Sequence, residues 1–136
     1  MVKTVLIVDN SRVVREIIRD SVLCFLHRDI PELRSVEASN GEEAIEKINT
    51  EDGLVAVVVE QAMNGVDGMD VLRHLAQSKP NVGGILVRDD SEIGSPTEDQ
   101  FIIAGLKRKI SIVHRFGFEA MNKIIDKVRE SVWVNL

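Results

Sequence analysis

The chain has no tyrosine and contains one cysteine, three prolines and few aromatic residues. A single cysteine, Cys24, excludes an internal disulfide or a zinc site, and its apolar neighbours predict a thiol on the buried side of a helix. The longest unbroken apolar run, 54–59, is far shorter than the roughly 20 residues of a membrane-spanning helix. No targeting segment precedes the first apolar run, so we expect a cytoplasmic protein.

The length, composition and net charge of the chain indicate a class of protein and a class of partner. The chain has 136 residues, of which 44% are hydrophobic and 29% are charged, a balance typical of one globular domain. We therefore predict a single domain over 1–136, with a C-terminal tail from about residue 131. The formal net charge of -5 disfavours nucleic acid and anionic membranes as partners and favours basic ones.

Five short apolar runs alternate with segments of helical period, which is typical of βαβ units around a parallel sheet. The first run, 5–8, is near-continuous, as expected for a strand covered by helices on both faces, whereas 33–36 is typical of a weaker edge strand and 109–113 alternates. The apolar positions that predict the first helix are Val14, Ile17, Ile18, Val22 and Phe25. The predicted strands are 5–8, 33–36, 54–59, 85–87 and 109–113. The predicted helices begin after Asp9-Asn10-Ser11, after Ser39-Asn40, at Met69, at Pro96 and near Phe118.

In an open parallel sheet the site lies beyond the carboxyl ends of the strands. The polar residues at those ends are Asp9, Asn10, Glu60, Arg88 and His114. They form one constellation if the strand order is 2-1-3-4-5, because that order places Glu60 on the central strand between Asp9 and Arg88.

Three motifs resemble the receiver domain of two-component response regulators. They are VLIVDNS at 5–11, ASNGEEAIEKI at 38–48 and EQAMNGVDGMDVL at 60–72. The resemblance implies a (βα)5, flavodoxin-like fold of the CheY type, with a parallel five-stranded sheet of order 2-1-3-4-5 and helices on both faces. It also implies a pocket with two loop acids for Mg²⁺, an acceptor aspartate, a Ser or Thr, and a Lys-Pro pair.

The chain departs from that family pattern at the chemical positions. Asp9 matches the first acid, whereas Asn10 stands at the second. Glu60 stands at the acceptor position and Arg88 at the Ser/Thr position. Replacing an acid by a neutral amide weakens a hard-oxygen site, so we expect Mg²⁺ to bind weakly or not at all at Asp9 and Glu60, and we predict no other cofactor.

The fifth strand departs as well, and its alignment leaves two choices. The lysine position falls on Ile112 or His114, and the aromatic switch position falls on Lys109 or Ser111. No proline follows Pro96, so the family's Lys-Pro pair cannot form.

These substitutions suggest a pocket with built-in charges. Glutamate is longer than aspartate by one methylene, about 1.5 Å, so Glu60 would place its oxygens where a phosphoryl group begins. Arg88 would pair with Glu60 or Asp9 and replace the metal and the lysine with a fixed cation.

Each assignment has a structural alternative. In these alternatives, Glu60 is an acid exposed to solvent at the end of a strand, and Asp9 only caps the first helix. His114 lies at the boundary between the core and the surface and has no role in proton transfer. Arg88 would pair with Asp89-Asp90 at the surface. Trp133 would either cover the end of the core or mark a docking contact.

The resemblance predicts a stand-alone pseudo-receiver in a two-component or phosphorelay pathway, which binds a signalling protein and catalyses no reaction. The partner would be a histidine kinase or a downstream target. A homodimer is a further alternative. One alternative is a working receiver phosphorylated on Glu60, Asp67 or Asp70. A remote alternative is a flavin or small-molecule enzyme on the same fold, which the lack of glycine in the loop at 9–13 disfavours.

The resemblance also predicts where output occurs, namely at the helix starting at Pro96, the fifth strand and the last helix. Phe101 belongs to four consecutive apolar residues, more than one helix face can bury. Lys107, Arg108 and Lys109 form a basic cluster beside it, which would either attract an acidic partner surface or protect a sheet edge.

Overall fold

The computed structural model describes residues 2–88, 110–114 and 119–134. Strands and helices alternate along the described chain, as the apolar periodicity predicts. The strands are β1 Lys3–Val8, β2 Leu33–Ala38, β3 Leu54–Glu60, β4 Gly83–Arg88 and β5 Ile110–His114. The helices are α1 Arg12–Leu26, α2 Gly41–Thr50, α3 Gly68–Ser78 and, last in the chain, α4 Ala120–Val134.

The five strands form one parallel sheet of order β2-β1-β3-β4-β5, so the predicted topology is confirmed. The central strand β3 is buried along its whole length, from Leu54 to Glu60. Its sequence LVAVVVE is a continuous apolar run ending in an acid, because helices cover both faces and only the last residue reaches the site.

Two aliphatic clusters fill the space between the sheet and the helices. One cluster lies under α1 and α4 and includes Ile7, Val58 and Val87. The other lies under α2 and α3 and includes Val8 and Val59. Toward the carboxyl ends of β1 and β3, successive residues alternate between the two clusters, which is the period-two pattern of a strand buried on both faces.

Helix starts are capped by side chains. Ser11 caps α1 by accepting from the Val14 amide, so the alternative of Asp9 as the cap is wrong. Asn40 caps α2 by accepting from the Glu43 amide, so this helix begins directly after Ser39-Asn40, as predicted. Each cap satisfies an amide that has no partner within its helix.

Cys24 is exposed, so the prediction of a buried thiol is wrong. The buried stripe of α1 is Ile18, Val22 and Leu26, at spacings of four residues. Ile17 and Phe25 each precede a stripe residue by one position and are therefore turned about 100° away from it. Both are more than half exposed, and the prediction that they contribute to the core is also wrong.

Several predicted features lie outside the described residues. They are the helix from Pro96 to Ala104, Phe101, and the basic cluster Lys107, Arg108 and Lys109. The last helix is found at Ala120–Val134, so the residues from 131 that we predicted as a tail are helical as far as Val134.

Candidate functional site

Asp9 and Glu60 lie side by side at the carboxyl edge of the sheet. Val8 pairs with Val59 in the register of β1 and β3, so the next residue of each chain segment is also opposite the other. Asp9 is 2% exposed and Glu60 is 3% exposed. A solvated strand-end acid is therefore not what the structure shows at residue 60.

Both acids leave the sheet on the same face. Ile7 and Val58 belong to the cluster under α1 and α4, whereas Val8 and Val59 belong to the opposite cluster. Alternation therefore assigns Asp9 and Glu60 to the α1 and α4 face. Two buried carboxyl groups at one edge place negative charge away from water, and a neighbouring cation would offset the cost of that burial.

The loop after β1 fixes Asp9 in place. The Asp9 carboxylate accepts a hydrogen bond from the Ser11 amide at 2.8 Å, and its own amide donates to the Ala38 carbonyl at 3.2 Å. Its carbonyl accepts from Nη1 of Arg15 at 2.7 Å. Asp9 is thus held by the loop, by β2 and by α1 together.

Arg88 ends β4 and is 3% exposed, so pairing at the surface is not its role. Glu60 pairs with Val87 in the register of β3 and β4, which places Arg88 one residue further toward the edge. Because Val87 belongs to the α1 and α4 cluster, alternation assigns Arg88 to the other face. A contact between Arg88 and either acid must therefore pass over the carboxyl edge.

The donor set does not match a magnesium site of an intact receiver. Asn10, which stands at the second acid position, is exposed and supplies no charge. Within the described parts of the chain, no group of three or more His, Cys, Asp or Glu residues is placed to hold a metal. Mg²⁺ prefers several oxygen ligands in near-octahedral geometry, and the residues that the structure describes bring two buried carboxyl groups, Asp9 and Glu60, to this edge.

The register of β5 bears on the two alignments of that strand. The backbone of His114 lies opposite Arg88, at the edge, whereas Ile112 lies opposite Leu86 and packs against the cluster under α2 and α3. Of the two residues considered for the lysine position, His114 is the one whose backbone reaches the site.

The loop after Glu60 is closed tightly onto the sheet. The Gln61 amide donates to the Val87 carbonyl at 3.0 Å, and the Gly68 amide donates to the Gln61 carbonyl at 3.1 Å. A Cβ atom at Gly68 would collide with the Glu60 backbone, which explains the glycine.

Asp67 and Asp70, the two alternative acceptors, are engaged in a capping box at the start of α3. The Asp70 amide donates to Asp67 Oδ1 at 2.9 Å, and the Asp67 amide donates to Asp70 Oδ2 at 3.3 Å. Asp70 also accepts from Arg73 at 2.8 Å. These contacts give both carboxylates a structural role in starting the helix.

A second polar cluster lies beside the site, and sequence reasoning missed it. A cavity of about 270 Å³ is lined by Arg12, Arg15, Glu16, Arg19, Glu37, Ser39 and Glu43. The Ser39 backbone amide donates to Glu43, and this bond lowers the pKa of that carboxyl; Ser39 Oγ, Lys47 and Arg15 act in the same direction, while burial opposes them. In the sequence, the feature that could have indicated this cluster is the spacing of Arg12, Arg15 and Arg19 along one predicted helix.

Residues 5–111 match the family model of the response regulator receiver domain. The chain belongs to this family. It is therefore a receiver domain of two-component signalling. No curated protein matches the chain. No helix within the described residues is both long and apolar enough to cross a membrane.

Solved receiver structures share the fold. The receiver domain of AraT from Geobacillus stearothermophilus is 23% identical, with a TM-score of 0.74, and the match covers 99% of this chain and 98% of that one. The response regulator domain of Thermotoga maritima CheB is 19% identical, with a TM-score of 0.71, and the match covers 100% and 98%. A CheY-like receiver from Methanospirillum hungatei is 16% identical, with a TM-score of 0.73 and 98% coverage of both chains.

Proposed function

We propose that this receiver acts by binding a signalling protein, without phosphorylation of an aspartate. The observation that carries the proposal is the buried Glu60 beside Asp9, at the position where the family pattern has its acceptor. A glutamate carboxylate there occupies part of the space in which a phosphoryl group would form. The charges of the pocket then come from its own side chains and do not change between a phosphorylated and an unphosphorylated state.

Charge balance supports a fixed cation in place of Mg²⁺. Phosphoryl transfer to a carboxylate needs a divalent ion to bridge the acceptor and the phosphoryl oxygens. Asn10 supplies no charge for such an ion. Arg88, buried at the end of the neighbouring strand, is the cation that we assign to the acids, over the edge of the sheet.

A phosphorylation assay tests this proposal directly. The protein is incubated with acetyl phosphate and Mg²⁺, and its intact mass is measured beside that of a receiver with the complete family pattern. We expect no phosphoryl adduct on this protein. An adduct that disappears in Glu60→Gln would contradict the proposal, and one that disappears in Asp67→Asn or Asp70→Asn would establish the alternative acceptor.

The family suggests the class of partner, and the local basic cluster suggests the face that binds it, although the net charge of the chain is negative. We propose a histidine kinase or a downstream target, bound through the face around Phe101, Lys107, Arg108 and Lys109, in the cytoplasm. Reversing Lys107 and Arg108 to Glu should weaken binding to a partner captured from the native host, and circular dichroism checks that the variant still folds. Arg28→Glu, a charge reversal after the end of α1, is the control. Equal binding by all three proteins would place the interface elsewhere.

We propose no enzymatic reaction for this domain. A flavin enzyme on the same fold needs a glycine and hydroxyl loop around phosphate, whereas the loop after β1 begins with buried Asp9. A visible absorbance spectrum of the purified protein that shows flavin bands would overturn this assignment.

A further inference from the structure

Arg15, in the first turn of α1, connects two elements that flank the site. Its Nη1 donates to the Asp9 backbone carbonyl at 2.7 Å, and its Nε donates to Glu37 Oε1 at 3.1 Å. Glu37 lies on the edge strand β2. The Arg15 side chain is 14% exposed, so this guanidinium sits between the helix, the loop and the strand and is shielded from water.

The contact with the carbonyl restricts Asp9 at a third point. The amide of Asp9 is already bound to Ala38, and its carboxylate accepts from Ser11. With its carbonyl bound to Arg15, the peptide between Asp9 and Asn10 has its orientation fixed. The Ser11 amide lies in the next peptide along the loop, so the Asp9 carbonyl connects Arg15 to the segment whose amide binds the carboxylate.

We propose that Arg15 is a positioning residue for the buried Asp9 carboxylate, and that Glu37 is the anchor that orients Arg15. The inference rests on the proposed function in one respect, because the proposed function is what gives the Asp9 and Glu60 pair its role. An arginine suits the task because its planar guanidinium presents donors in two directions at once, whereas a lysine offers a single ammonium.

The chain supplies a matched control in Arg19. Arg19 lies one helical turn after Arg15, and its Nη1 donates to the other oxygen of Glu37 at 3.4 Å. It makes its second side-chain bond to the neighbouring Asp20, at 2.9 Å, and has no contact with Asp9 among those the structure gives. Arg15→Gln and Arg19→Gln thus remove the same charge from the same helix and the same acid, but only the first releases the Asp9 carbonyl.

Amide hydrogen exchange by NMR, measured on the whole chain, tests the inference at Ser11. In Arg15→Gln we expect Ser11 to exchange about tenfold faster than in the wild type, as for loss of one charge-assisted hydrogen bond. The carbonyl ¹³C resonance of Asp9 should shift in the same variant. Arg19→Gln should leave both signals unchanged. Arg15→Lys keeps the charge but cannot reproduce the two directed donors, so it should restore neither signal fully, and full restoration would show that charge alone suffices.

Glu37→Gln tests the anchor. We expect faster exchange at Ser11 in this variant, and little further change when Arg15→Gln is added, because the two side chains act as one unit. Wild-type exchange at Ser11 in Arg15→Gln, or equal acceleration in Arg15→Gln and Arg19→Gln, would overturn the inference. Treating the wild-type sample with acetyl phosphate keeps the two proposals apart, because an adduct would refute the proposed function and leave the exchange result standing.

Discussion

Coupling between Arg88 and the buried acids is the most direct measure of the fixed cation. The perturbations are Glu60→Gln and Arg88→Met, made singly and together. Both residues are 3% exposed, and they end neighbouring strands, which lie about 4.8 Å apart. The fixed-cation proposal requires the guanidinium to reach over the edge to about 5 Å from a carboxylate, and at that separation and an effective dielectric constant of about 20 two opposite unit charges attract by about 3 kcal/mol.

Each single variant should lose about 3 kcal/mol in free energy of unfolding, because it leaves a buried charge without its partner. The double variant should lose about as much as either single one, which gives a coupling energy near 3 kcal/mol. Urea unfolding followed by far-ultraviolet circular dichroism measures all four proteins. A parallel cycle with Asp9→Asn and Arg88→Met shows which acid the guanidinium serves.

A surface pair provides the control cycle. Arg34 and Glu51 are joined at 2.8 Å, and the Arg34 side chain is 53% exposed, so their coupling should stay below about 1 kcal/mol. The fixed-cation argument fails if the stability losses add to within about 0.5 kcal/mol in the Glu60/Arg88 cycle and also in the Asp9/Arg88 cycle. Arg88 would then interact with neither acid.

Three further outcomes are expected. Calorimetric titration should give a Mg²⁺ dissociation constant weaker than about 0.1 mM, a binding free energy of roughly 5.5 kcal/mol, and a tighter value would show that the two acids suffice. Gly41→Ala should cost about 2 kcal/mol in urea unfolding, because its Cβ would meet the Val66 carbonyl and lie 2.7 Å from the Val66 side chain. The lowered pKa of Glu43 stabilises the fold above the ordinary glutamate pKa of about 4.3, and this contribution is lost as pH falls through the folded-state value. The stability difference between wild type and Glu43→Gln should therefore shrink in acid, and a constant difference would contradict the cause.

The inner strands of the sheet could be predicted from local sequence because β3 and β4 are buried on both faces. A run such as LVAVVVE at 54–60 admits little else once helical segments flank it. The family resemblance implies the strand order, and that order makes β1 and β3 neighbours, so Asp9 lies next to Glu60. Capping residues set the helix starts at Ser11, Asn40 and Asp67 because short polar side chains bind the first free amides.

The errors on α1 have a common physical cause. An apolar pattern shows that a helix is amphipathic, but it does not show how far its buried stripe extends around the helix. Ile17, Cys24 and Phe25 fit the pattern and nevertheless lie outside the stripe that contacts the sheet. Arg15 and Glu37 were missed for a different reason. Their contact joins residues 22 positions apart and depends on how α1 packs against β2.

The assignment of charges at the site has a consequence for signalling. A ligand or a modification shifts a conformational equilibrium only through its differential affinity for the two states. A pocket whose charges are all side chains, Asp9, Glu60 and Arg88 in the arrangement proposed here, has no added phosphoryl group to provide that difference. Such a receiver presents one binding surface at all times. Its output is then set by the concentration of the domain relative to its partner, and by any partner that binds the pocket edge itself.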